Sequence, residues 1–397
     1  MHTPKNKPMN ISHITRLAGL LLVAGFFISC GSSKVNIDQL LADNNYDQAL
    51  AEIDNRLAED PGQPDLYIKR AEITAEMAQE VNPELRKDHY NRIISDFKSS
   101  EEMGANGSQL ATIDSLSQQY WKTEHNSGLR IFENSDGTNV YETAKSHFLN
   151  ALIIRPDAVS SYKNLAVAEF NLGNIDAAIT SLEKAIDNTN EPSAELYENL
   201  GYLYLEKGNP AVAAEYYEMA NTDMSEDINL AYGLVNAYIS NSNHEAAASM
   251  LETLVEEYPD NANLRNVYGT QLYEITSEIM ADLKKAYADN NTSMANQIKM
   301  EAVGMGEEAE TQLIEAFKRD TSNTEYLESL AVFYNNLAAN YLSIEKVAFD
   351  DDKPELRSRA NRLIDFATDY YGRLNEMDPN NRDYTSKLTT LNKLKNN

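Results

Sequence analysis

The chain has 397 residues, 42% of them hydrophobic and 24% charged, with 62 acidic side chains against 34 basic ones and a net charge of −28. That length is enough for a large core or a repeat array, and so negative a surface argues against nucleic acid and anionic lipid as partners. One cysteine in the whole chain leaves no internal disulfide and no thiolate metal site.

The first segment reads as an address. Lys5, Lys7 and Arg16 precede "LAGLLLVAGFFI", a 12-residue apolar run from Leu17 to Ile28, and the first acid is Asp38. A membrane-spanning helix needs about 20 apolar residues, so the run has the length and flanks of a signal-peptide core. "FISC" (Phe27 to Cys30) follows it. This stretch resembles the lipobox of bacterial lipoproteins, with Phe27 in place of the usual leucine. The resemblance implies cleavage before Cys30 and acylation of its sulfur, so that residues 1–29 are a removed leader and 30–35, "CGSSKV", a lipidated tether. A thiolate suits that chemistry because it is a strong nucleophile. Gly31 stands where an aspartate would favour inner-membrane retention in enterobacterial lipoproteins, and no acidic cluster adjoins the cysteine as it does in some surface-exported ones. The expected location is the cell envelope, at the outer membrane facing the periplasm.

From residue 36 the pattern is helical. "YDQALAEIDNRLAEDP" (Tyr46 to Pro61) and "YETAKSHFLNALIIRP" (Tyr141 to Pro156) each read as a helix closed by proline. Between them, "HNSGLRIFENSDGTN" (His125 to Asn139) is the longest turn-rich stretch and is expected to be a loop. Trp121, the only tryptophan, beside Tyr120, reads as core packing rather than as a sugar-stacking or membrane-contact platform.

The middle of the chain repeats. "SYKNLAVAEFNLGNIDAAITSLEKAI" (Ser161 to Ile186) is followed by "LYENLGYLYLEKGNPAVAAEYYEMA" (Leu196 to Ala220); Tyr162 and Tyr197 are 35 residues apart, Ala178 and Ala213 35, and Ala213 and Ala247 34. Ile175, Ala178, Ile179, Leu182, Ala185 and Ile186 form an apolar stripe of helical period. The small residues Ala166, Ala178, Gly201 and Ala213 let helices approach closely. Gly173 and Gly208 suit the turns within a helix pair, and Asn209-Pro210 starts a helix with a capping residue and proline at N1. A period near 34 with Tyr197-x-x-Leu200-Gly201-x-x-Tyr204 and Ala213-x-x-x-Tyr217 resembles the tetratricopeptide repeat (TPR). The resemblance implies an all-α, right-handed superhelix of helical hairpins, strongest over residues 141–261.

Eight units are expected: 36–63, 64–106, 107–158, 159–193, 194–227, 228–261, 262–323 and 324–381, with 382–397 as a polar capping helix. Residues 36–158 hold TPR-like units, some expanded; 159–261 hold regular ones; 262–381 hold expanded hairpins. Helices near 262–289, 293–319, 324–348 and 354–377 would project past the superhelix or fold back as a second lobe, and such insertions often mark a binding face.

Catalytic constellations are lacking. His89, His125, His147 and His244 are unpaired in sequence and read as structural. The GxG in "AVGMGEEAE" (Ala302 to Glu310) reads as a weak point in a long helix, and the acids of "FDDDKPEL" (Phe349 to Leu356) as complements to a helix start rather than a calcium site. No enzyme activity, cofactor or metal is expected. The TPR resemblance places the partner on a concave surface made by the first helix of each pair. There it implies Lys163, Asn164, Phe170, Asn171, Glu198, Asn199, Tyr202, Leu205, Tyr232, Asn236 and Ile239, a mixture suited to a protein or peptide segment. The carboxylate clamp of one TPR subclass is broken, because Val167, Asn229 and Gly233 replace its Asn, Lys and Arg. The expected function is a non-enzymatic, membrane-anchored protein-binding scaffold, attached to the bilayer through acylated Cys30. The alternative is glycan capture beside an outer-membrane transporter.

Overall fold

The computed structural model describes residues 36–134, 139–220 and 228–395. Cys30, the leader and the tether lie outside them. The described residues form seventeen α-helices, one 3-10 turn (Pro83–Leu85) and no strand, and among them no helix is long and apolar enough to cross a membrane.

The helices come in hairpins: α1 (Ile37–Ala42) with α2 (Tyr46–Glu59), α3 (Pro64–Gln79) with α4 (Lys87–Glu102), α5 (Gly107–Asn134) with α6 (Val140–Ile154), and α7 (Val159–Asn171) with α8 (Ile175–Asp187). Next are α9 (Ala194–Glu206) with α10 (Pro210–Met219) and α11 (Ile228–Ser240) with α12 (His244–Glu257). Two long hairpins follow, α13 (Ala262–Ala288) with α14 (Thr292–Arg319) and α15 (Thr324–Glu345) with α16 (Lys353–Met377), and α17 (Arg382–Lys395) closes the array. The result is an all-α TPR-type superhelix. First helices of neighbouring pairs meet, α9 on α11 and α13 on α15, and the second helices α4 and α6 meet as well.

Turns within the pairs need a left-handed residue. Gly173 and Gly208 supply it at φ 78°, where glycine has no steric penalty. Asn44, Ser242 and Asn290 do the same with φ of 56°, 54° and 54°. Asn209 occupies the position before Pro210, but its side chain does not cap α10; Asn243, Asn261, Asn291 and Asn323 do cap their helices.

Ala213 is fully buried. Between α9 and α11 the Tyr217 ring fills the space left by two glycines: a Cβ on Gly201 would lie 2.8 Å from it, and one on Gly233 2.6 Å.

The stretch expected to be a loop is helical to Asn134. His125, Leu129 and Phe132 lie on one face of α5, and Gly128 lets Phe148 of α6 approach so closely that a Cβ would meet its ring at 2.7 Å. Phe132 packs on Phe148 at 5.4 Å and on Tyr141 at 5.8 Å. This apolar face outweighs the turn-rich composition; residues 135–138 lie outside the described ones. The long hairpins share one core with the repeat before them, running from Ala231 on α11 to Leu391 on α17. The GxG stretch lies within α14.

Candidate functional site

Four of the residues expected on the concave face meet at one place. Lys163, Val167 and Phe170 on α7 and Asn199, Tyr202 and Leu203 on α9 line a cavity of about 130 Å³. Residues four and three apart on each helix share a face, which is why 163, 167 and 170 stand opposite 199, 202 and 203. The Phe170 and Tyr202 rings meet edge to face at 5.5 Å. Val167 is 47% exposed and Tyr202 44%, so the mouth is apolar and open to solvent. Burial, then Glu206, pushes the Tyr202 phenol above its ordinary pKa, keeping it a neutral donor. Lys163 is paired with Glu195 across the edge. Val167, where the clamp would have an asparagine, makes this an apolar socket instead of a carboxylate grip.

The other expected residues are spread out. Asn164 and Glu198 are half-buried, while Asn236 and Asn171 are exposed; the Asn171 amide donates to Val167 O at 2.8 Å. Leu205 and Ile239 lean on the core. Tyr232 is half-buried against the C-terminal core, and its hydroxyl accepts from Asn261 Nδ2 at 3.1 Å. It belongs to the wall.

The histidines are structural in two revealing cases. Glu124 on α5 is fully buried and accepts from Arg86 at 2.7 Å, Tyr90 at 2.6 Å and His147 Nδ1 at 2.7 Å. Burial raises its carboxyl pKa, but these hydrogen bonds win and hold it below the ordinary value. Burial, together with Glu124, pushes the Tyr90 phenol far up. This closed network ties α4, α5 and α6 together. Beside it Ser161 Oγ accepts from Trp121 Nε1 at 3.0 Å and lies 2.9 Å from His125 Nδ1, with Trp121 stacked on His125 at 5.1 Å. Trp121 is therefore packed between units. Sequence reading missed the network because Arg86, Glu124 and His147 are far apart in the chain, and each looks like an ordinary surface residue.

The acids before α16 have internal partners. Asp350 pairs with Lys353, and Asp352 binds Lys299 at 2.8 Å and the Tyr287 hydroxyl at 3.0 Å. Among the described residues no group of three or more His, Cys, Asp or Glu is placed to hold a metal ion.

Two family models, both described as tetratricopeptide repeat, match residues 163–223 and 204–269. Residues 163–269 are tetratricopeptide repeats. The socket lies within this TPR segment, between α7 and α9. A comparison with curated proteins gives no match. Among solved structures, a tetratricopeptide repeat protein from Parabacteroides merdae is similar at 15% identity, covering 70% of this chain and 100% of that one, with a TM-score of 0.39. YrrB, described as a TPR protein with an unusual peptide-binding site, is similar at 16% identity over 52% of this chain and 89% of its own, with a TM-score of 0.38. A TPR repeats protein from Bacteroides fragilis shares 18% identity over 60% of this chain and 99% of its own, with a TM-score of 0.30.

Proposed function

We propose that this chain is a non-enzymatic scaffold, anchored to the membrane by acylated Cys30, whose concave face holds a segment of a partner protein in the bacterial cell envelope. The observation that carries the binding role is the socket of Val167, Phe170 and Tyr202, two of whose three apolar walls are more than two-fifths exposed. An apolar side chain of the partner enters there, while Asn199 and Lys163 at the rim meet its backbone and polar groups. Support for the anchor is the leader sequence alone: its cations, its short apolar run and the placement of the only cysteine. One acyl chain binds membranes only marginally, so the anchor requires the several chains that lipoproteins carry. Glycan capture is the weaker reading, since Trp121, its one candidate platform, is engaged by Ser161 and His125.

The binding test is a double variant, Val167→Asp with Tyr202→Ala. Anchors of this type contribute about 2 kcal/mol or more, so affinity for the partner segment falls about 30-fold or more with the thermal unfolding curve preserved. Unchanged affinity refutes the socket.

A further inference from the structure

The outer surface carries a second, differently built groove. Regular second helices are short, whereas α13 and α14 are long. The start of α12 sits beside Gln271, where His244 Nδ1 lies 2.8 Å from Gln271 Oε1, yet α13 continues to Ala288. That continuation is about 25 Å of helix that α12 does not cover. A groove of about 670 Å³ opens around the start of α12, with α13 as its floor and α12 and α14 as its walls.

Its floor is apolar. Leu272, Ile275 and Ile279 recur at helical spacing along α13, joined by Met305 from α14; Ile279 and Met305 are only half-buried. Its walls are acidic in a regular way. Glu245 and Glu252 on α12, and Glu301 and Glu308 on α14, are each seven residues apart, about 10 Å or two helical turns. Glu278 and Asp282 extend the charge along α13. Among the described residues no lysine, arginine or histidine lines the groove. None of these six carboxylates forms a salt bridge among the described residues. Their field reaches Tyr268 below: burial, then Glu252 and Glu308, pushes its phenol up to about 12.

We infer that this groove docks a basic amphipathic helix of a partner protein, its apolar stripe on Leu272, Ile275, Ile279 and Met305 and its Lys/Arg rows against the two acidic walls. An apolar floor between two carboxylate rows at helical spacing is the complement of such a helix and of little else. The chain's own basic helix, α17, is not available: Leu391 is buried and Leu388 and Leu394 lean on the same C-terminal core.

Gly304 provides a clean test. It is exposed on the α14 wall, and a Cβ there meets nothing within 4 Å, so Gly304→Trp fills the groove without touching the core or the net charge. The probe is a fluorescent 18-residue Leu/Lys amphipathic peptide, titrated into the full chain at 150 mM salt. Gly304→Trp is expected to weaken binding at least tenfold, while Gly304→Ala and Tyr202→Ala leave it unchanged. Equal binding by wild type and Gly304→Trp overturns the inference, because general attraction to an acidic protein then explains the affinity. Stoichiometric binding of the peptide by the concave face, lost in Tyr202→Ala, overturns it as well. Circular dichroism confirms folding of each variant; should Gly304→Trp not fold, Glu301→Gln with Glu308→Gln replaces it, with the same tenfold criterion.

Discussion

Gly233→Ala probes the tightest contact in the repeat segment. The added methyl would sit 2.6 Å from Cε1 and Cζ of Tyr217, against the roughly 3.5–4.0 Å of an unstrained carbon contact. The ring cannot retreat, because Gly201 holds its other edge at 2.8 Å by the same measure and it is 3% exposed. Overpacking of this kind costs about 1–3 kcal/mol, and the confinement places it near the upper end. Alanine is better than glycine inside a helix by about 1 kcal/mol. The net expectation is a loss of about 1–2 kcal/mol. In a Tyr217→Ala background the clash disappears and only the helix gain remains, so the same substitution becomes stabilising by up to about 1 kcal/mol. Urea unfolding followed by circular dichroism reads both, with the slope checked for constancy because repeat arrays lose cooperativity. A Gly233→Ala effect of the same sign and size in both backgrounds would refute the argument that Tyr217 is what the glycine accommodates.

Ala213→Arg places a long cation at a fully buried contact and is expected to cost about 3 kcal/mol or more; an unchanged melting curve contradicts the repeat register. Glu124→Gln leaves Arg86 and His147 without their carboxylate and is expected to cost about 3 kcal/mol at neutral pH. Because the fold lowers the Glu124 pKa below its ordinary 4.5, that contribution is complete above about pH 4.5 and fades as pH falls through the lowered value. The gap between wild type and variant should therefore close in acid, and a gap independent of pH down to 2 is the contrary result. Labelled fatty acid should enter the wild-type chain and not Cys30→Ala; incorporation that survives the substitution ends the anchoring proposal.

Much of the fold was legible because its causes are local. The stripe from Ile175 to Ile186 and the spacing of Ala178, Ala213 and Ala247 specify paired helices. The long hairpins were placed within a few residues at most termini, since their apolar periodicity runs unbroken; α15 ends earlier than expected, at Glu345. What escaped depends on partners distant in sequence. The stretch from His125 to Asn134 has loop-like composition, and only Phe148 and Tyr141 across the hairpin explain its helix. The Glu124 network joins side chains from three helices. Four concave residues were gathered into one socket, but Val167, dismissed as a broken clamp position, proved to be part of its mouth. Nothing local shows that the Tyr232 hydroxyl would accept from Asn261. The acidic groove arises from unequal helix lengths, which no motif encodes.

The central claim is that the concave socket holds a partner protein, and site-specific photo-crosslinking tests it most directly. A photoreactive residue at Val167, in living cells, should trap one protein, whereas the same residue at Glu215 on the exposed outer side of α10 should not. The trapped protein, purified, should bind wild type about 30-fold or more tightly than it binds Tyr202→Ala. Equal trapping at both positions, or equal affinity for wild type and variant, would contradict the account.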